Sequence, residues 1–224
     1  MNKLFVLLSI IVIMSCSDSG QKNDSSECNR SVAYGDIELC LPVIDSMKEC
    51  YSVPNVKELA DQFEPEVSTI LAFYLNNETF NLVDHLSEIS FDDYFKISAA
   101  NNLKDFKASK SELNQMANML ETNFIKVNWN EIKSNIENSL DFISVGQPVL
   151  IESYSPHSEI KTFVMFIKYQ GEDFEYVMAM SSNMLLIKER LIYLNYFKIY
   201  DGEESIKKLK AKNDYIVLRL MEEN

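Results

Sequence analysis

The side chains able to do chemistry in this chain are few and scattered. Histidine occurs only at His85 and His157. Asp84, His85 and Glu88 set an imidazole and two carboxylates at helical spacing, the pattern of an acid–base pair or a partial metal site. The competing reading, which the spacing favours, is the exposed side of an amphipathic turn carrying Leu82 and Leu86, because no second His or Cys stands nearby at ligand spacing. His157, within Ser155-Pro156-His157-Ser158, falls in a turn between strands and reads as solvated. Asp92-Asp93 and Glu203-Glu204 are adjacent acids, and neighbours on a strand or helix point apart, so neither pair can straddle a glycosidic bond. The chain has no G-x-S-x-G, P-loop, G-x-G-x-x-G or H-E-x-x-H, and its 5 glycines leave no loop to cradle phosphate. No catalytic residue, cofactor-binding residue or metal ligand is assigned, and no cofactor is expected. An active site assembled by folding alone stays open as an alternative.

The N-terminal cysteine is more specific. Lys3 precedes Leu4–Met14, an apolar run broken only by Ser9. The run is far shorter than the roughly 20 residues that cross a bilayer core and has the size of a signal-peptide apolar region. It ends in Ile13-Met14-Ser15-Cys16, followed by Ser17-Asp18-Ser19-Gly20. A small residue, then Cys, then a polar stretch, resembles the lipobox of bacterial lipoprotein precursors. Ile13 stands where that family usually has Leu, and Met14 where it more often has a small residue. The resemblance implies that residues 1–15 are a signal peptide and that Cys16 takes a diacylglycerol on its thiol. After cleavage an acyl chain such as palmitate is added to its amine. The protein would then be anchored in the bacterial cell envelope, at the periplasm, by lipid alone. Three acyl chains make a stable anchor, each buried CH₂ contributing roughly 0.8 kcal/mol. Ser17 rather than Asp after Cys16 favours the outer membrane over the inner, by analogy with sorting in enteric bacteria. The competing reading is an ordinary secretory signal with a coincidental Cys.

Export to the envelope makes disulfides available. Beyond Cys16, three thiols remain, Cys28, Cys40 and Cys50, enough for one bridge. Cys28 lies in a polar stretch. Cys40 stands at a strand end and Cys50 shortly after Pro42 has turned the chain. Cys40–Cys50 is therefore the pairing with the least loop closure, with two buried free thiols as the alternative.

A fold must position these groups. The 224 residues are 46% apolar and 11% aromatic, which supplies a core and excludes a collagenous, mucin-like or disordered chain. The formal net charge of -13 argues against a nucleic-acid partner and suits a basic protein patch or a cationic ligand. Residues 16–30 read as the lipidated Cys and a flexible tether, and 31–224 as one α+β domain of roughly 190 residues. Strands are expected at Ile37–Leu41, Val67–Leu75, Tyr94–Ala99, Val149–Tyr154, Thr162–Tyr169, Phe174–Met180 and Leu191–Tyr200. Gln170-Gly171-Glu172-Asp173 fits a hairpin turn, and Asn76-Asn77-Glu78 a turn after the second strand. Helices are expected at Val56–Phe63, after the Ser109/Glu112 capping box, after an Asn128 N-cap (with Trp129, Ile132, Ile136 and Leu140 on one face), and at Gly202–Met221 behind an Asp201 cap. The plan is a largely antiparallel sheet packed with helices.

A strand ending in Pro (Ile37–Pro42), central helices, a late meander and a closing helix resemble PsbP-like domains. That is a family of α/β-sandwich proteins, often exported and often without enzymatic activity. The resemblance lies in element order and carries no site residues.

The most distinctive composition is aromatic. Phe163, Tyr169, Phe174, Tyr176, Tyr193, Tyr196, Phe197 and Tyr200 crowd the C-terminal third. They read either as a stacking surface for sugar or peptide or, more commonly, as the packing of a sheet. Lys207, Lys208, Lys210 and Lys212 read as a solvated helix face, with Glu203–Lys207 and Glu204–Lys208 as i,i+4 pairs, rather than as a contact for anionic headgroups. The function these observations favour is a lipid-anchored envelope protein of non-catalytic binding or accessory type, with an unknown protein or small-molecule ligand. The alternatives are an envelope immunity or inhibitor lipoprotein, and an envelope hydrolase with a dispersed active site.

Overall fold

The computed structural model describes residues 28–83, 91–127, 143–171 and 174–224. A two-stranded hairpin, β1 (Ser31–Tyr34) and β2 (Ile37–Cys40), precedes the short β3 (Met47–Glu49). Then come α1 (Pro54–Gln62), β4 (Ser68–Asn76), the single turn α2 (Asn77–Phe80), β5 (Asp93–Ala100), α3 (Lys110–Asn123) and β6 (Ile125–Lys126). A meander of β7 (Val149–Tyr154), β8 (Ile160–Gln170), β9 (Glu175–Ile187) and β10 (Arg190–Ile199) leads to α4 (Glu203–Glu222). The main sheet has eight strands in the order β3-β4-β5-β10-β9-β8-β7-β6. Every pairing is antiparallel except β6 with β7. The α+β class with a largely antiparallel sheet is therefore the fold. Among the described residues no helix is long and apolar enough to cross a membrane.

Strand alternation sorts the sheet into two buried faces. Phe95, Ile97, Ala179, Leu185, Ile192 and Leu194 meet Leu209, Ile216 and Leu220 of α4 in the largest core. The opposite face carries Met165, Met178, Met180 and Phe197, packed with Leu113 and Ala117 of α3. Val56 and Ala60 of α1 close a third cluster over Ile70, Phe73 and Leu75 of β4. A bulge between Ile70 and Ala72 lets Leu71 and Ala72 both join the α4 side, after which Phe73 and Leu75 return to the other.

Local chemistry sets several boundaries. Pro54 occupies the first helical position of α1, where its missing N–H costs nothing. The Ser109/Glu112 capping box is present at α3. The turn expected after β4 is the helical turn α2, capped by Asn76, whose side-chain oxygen accepts the Thr79 N–H at 2.8 Å. At α4 the capping differs from expectation. Gly202, at φ 121, is the N-cap, and no side chain caps it. Ser205 instead accepts the Asp201 N–H and donates to the Gly202 carbonyl at 2.6 Å, so Asp201 is not the cap. β9 runs on past Met180 to Ile187, because its ladder to β8 and β10 continues and its buried Asn183 finds partners there. Asn183 accepts the Thr162 hydroxyl at 2.7 Å and donates to the Leu194 carbonyl and to Asn213 of α4, at 2.9 and 2.7 Å. The helix expected after Asn128 lies outside the described residues.

The disulfide is a correction to Cys40–Cys50. Cys40 is bonded to Cys28, with Cα atoms 5.5 Å apart, and Cys50 is a buried free thiol. The reason is topological. Cys40 ends β2, whose partner β1 begins three residues after Cys28, and the Leu41 N–H donates to the Arg30 carbonyl at 2.8 Å. Cys50 leaves β3 on the main sheet, and its thiol donates to the Phe73 carbonyl at 3.3 Å. Cys28–Arg30, read from the sequence as tether, are thus tied to the domain, and Arg30 also pairs with Glu49.

Candidate functional site: an aromatic cleft beside α1

α3 begins next to the β9–β10 turn, where the Ala108 N–H donates to the Glu189 carbonyl at 2.9 Å, so it covers that end of its sheet face. At the other end, between α1 and the β8–β9 hairpin, a cleft of about 390 Å³ remains. That volume suits a small-molecule ligand, for which pockets run roughly 300–1,000 Å³.

The floor is built by cross-strand pairs. Tyr94 of β5 and Phe197 of β10 are register partners and stack at 4.7 Å, with ring planes 10° apart. Phe73 of β4 stacks on the other side of Tyr94 at 5.5 Å, and Phe91 meets both edge-on. The hairpin wall is a second group. Tyr169 and Tyr176, register partners on β8 and β9, stack at 5.4 Å, and Phe174 leans on Tyr176 at 5.7 Å. Leu59 and Phe63 of the α1 segment complete the lining, with Met178 of β9. The mouth is marked by apolar rings left in contact with solvent, Phe63 at 77% exposure, Phe174 at 55% and Tyr176 at 39%. The hairpin turn holds Phe174 in place. Gly171 donates its N–H to the Phe174 carbonyl at 2.9 Å, and a Cβ on Gly171 would lie 2.4 Å from the ring.

The ionisable groups among the described lining are Lys96 and three tyrosines. Lys96 is ion-paired with Glu64, in the turn that leaves α1, and Glu64 also accepts the Ser68 hydroxyl. Burial pushes the phenol of Tyr94 up, with Tyr169 and Tyr176 adding to it, and burial likewise raises Tyr169 and Tyr176. All three are protonated hydrogen-bonding groups at neutral pH. The arrangement can hold an apolar guest by stacking and burial and orient it by one or two hydrogen bonds. The described lining contains no Ser, Cys or His.

The structure divides the aromatic crowd expected in the C-terminal third. Tyr169, Phe174, Tyr176 and Phe197 line the cleft. Tyr196 is buried on the α4 side, and Phe163 packs beneath α3. Their cleft partners Phe63, Phe73, Phe91 and Tyr94 come from the N-terminal half. The signal that could have found them is the alternation of β4 and β5, which puts Phe73 and Tyr94 on one face. His157 is exposed in the β7–β8 turn, 4.0 Å from Glu159, and does not line the cleft. His85, Asp84 and Glu88 lie outside the described residues, as does Cys16. Among the described residues no three His, Cys, Asp or Glu side chains gather as metal ligands. Of the α4 lysines, Lys207 and Lys208 are exposed and Lys210 and Lys212 are half-buried. Lys210 pairs with Glu152 at 2.7 Å and Lys212 with Asp93 at 3.0 Å, while Lys207 pairs with Glu204 at i,i+3 rather than with Glu203. Comparison with protein-family models, curated proteins and solved structures finds no match for the chain, and the resemblance to PsbP-like domains contributes no residue roles.

Proposed function

We propose that this is a lipid-anchored protein of the bacterial cell envelope whose α+β domain binds a small apolar ligand without transforming it. The observation that carries the binding reading is the cleft between α1 and the β8–β9 hairpin, lined by stacked aromatic rings and rimmed by exposed ones. Apolar area of this kind, concave and with few polar groups, is the common character of small-molecule sites. The anchor rests on the Ser15-Cys16 junction and its resemblance to the lipobox. A cleft without a histidine among its described lining favours the binding reading over a hydrolase with a dispersed site.

The test is native mass spectrometry of the protein released from membranes in mild detergent, beside a Leu59→Trp variant that fills the cleft. Leu59 is half-buried on α1, so the larger ring can enter the cleft without displacing the core. A small-molecule adduct on the wild type that disappears in the variant supports the reading. An adduct retained by the variant, or none on either protein, contradicts it.

A further inference from the structure

Resting on the reading that the cleft binds a small molecule, we infer that its ligand class is an uncharged molecule carrying a flat aromatic or similarly apolar ring. The Lys96–Glu64 pair would be the element that rejects charged relatives of it.

The case against an anion starts at Lys96, the cation in the described lining. Its ammonium is already taken by Glu64, and the two side chains are only 16% and 8% exposed. An anionic guest would have to displace a nearly buried carboxylate that has a second donor in Ser68. Once displaced, that carboxylate would be an uncompensated charge in an apolar setting. The chain's net charge of -13 opposes the same guest at long range.

The case against a cation rests on the missing counter-charge. The described lining holds no carboxylate. Glu64, the acid beside it, is already committed to Lys96 and is 8% exposed. A cation entering the cleft would give up its water without gaining an ion pair. An open aromatic face attracts a cation, but Tyr94 on the floor is covered by Phe73 on one side and Phe197 on the other. An uncharged guest ring packs against the lining rings without that cost, and the phenols of Tyr94, Tyr169 and Tyr176 are neutral hydrogen-bonding groups.

Three near-isosteric probes test this: 2-naphthylmethanol, 2-naphthoate and (2-naphthylmethyl)trimethylammonium. Each is titrated calorimetrically into the lipid-anchored full chain in phosphatidylcholine nanodiscs, with empty nanodiscs subtracted. The expected result is saturable binding of the alcohol, abolished by Leu59→Trp, and binding at least about tenfold weaker for both ions. Glu64→Gln, which frees the ammonium, should move the preference toward naphthoate; the wild-type series is decisive even where that variant fails to fold. Either ion binding as tightly as the alcohol, with Leu59→Trp still blocking it, overturns the ligand class and leaves the binding site standing. No binding of any probe above the nanodisc background, or binding indifferent to Leu59→Trp, removes the site itself.

Discussion

Glu64, just past the end of α1, is ion-paired with Lys96 in the middle of β5. The pair is the polar clamp that holds the α1 end over the sheet, beside the aromatic floor. Both side chains are largely buried, so removing one partner strands the other. Lys96→Met and Glu64→Leu should each lower unfolding free energy by about 3 kcal/mol, whereas the two combined should cost much less than the sum. Chemical denaturation of the three variants measures this. Additive losses would mean that the two residues act independently.

The disulfide gives a second prediction. Non-reduced peptide mapping should find Cys28 linked to Cys40 and Cys50 unmodified. Closing a loop of this length contributes roughly 2–3 kcal/mol, which Cys28→Ser should remove. Burial pushes the Cys50 thiol up to about 12, so alkylation at pH 8 should require unfolding. Rapid alkylation of Cys50 in the folded protein would contradict the structure.

Much of this framework was legible beforehand, and the misses have physical causes. β4, β5, β7, β8 and β10 follow from apolar, β-rich runs, and α3 from its capping box, because those signals are local. The far half of β9 was not legible, since Ser181, Ser182 and Asn183 look like a strand end. Only the fold supplies Thr162 and Asn213 to satisfy Asn183. The following turn, Lys188-Glu189, has φ of 47° and 60° without the Gly or Asn that usually announces it. Cys28 carries no pairing signal, because its neighbours are polar, and loop length alone favours Cys50. In the cleft, the C-terminal aromatics were visible as a crowd. Their separation into core rings and lining rings depends on partners from β4 and β5, far away in sequence.

The β1–β2 turn offers a third prediction. Gly35 has φ +61, and a Cβ there would stand 2.1 Å from the Lys104 carbonyl oxygen. Its neighbour Asp36 pairs at 2.5 Å with Arg190, a guanidinium that is itself buried. Gly35→Ala should therefore destabilise by roughly 2 kcal/mol or more, and should loosen the Asp36–Arg190 pair with it. Thermal unfolding checks the size. An unchanged midpoint would show that the hairpin is not docked as described.

Alkaline pH should unfold the protein. Burial raises the phenols of Tyr74, Tyr94, Tyr154 and Tyr196 above their ordinary 10.0, and the Cys50 thiol above its ordinary 9.0. These groups stay protonated in the folded chain while the unfolded chain ionises. The unfolded state then binds fewer protons, and stability falls as pH rises. The contribution is complete below about pH 9 and is lost progressively above it. Denaturation midpoints between pH 8 and 11, with phenolate absorbance followed in parallel, should show late, cooperative tyrosine ionisation. Ordinary ionisation near pH 10 without loss of structure would contradict the burial.

The proposed lipid anchor predicts that the protein labels with palmitate and partitions into the detergent phase, and that Cys16→Ala loses both properties. A processed, labelled, membrane-bound Cys16→Ala product would contradict lipidation at that residue.

Photo-crosslinking tests the central claim most directly. A neutral aryl diazirine is irradiated with the anchored protein and the adducts are mapped by peptide mass spectrometry. The account predicts saturable labelling concentrated on residues 56–63 of the α1 segment and on 169–178 of the β8–β9 hairpin, displaced by excess 2-naphthylmethanol and absent in Leu59→Trp. Labelling spread over α3 and α4, or unaffected by the competitor, would contradict the cleft as the binding site.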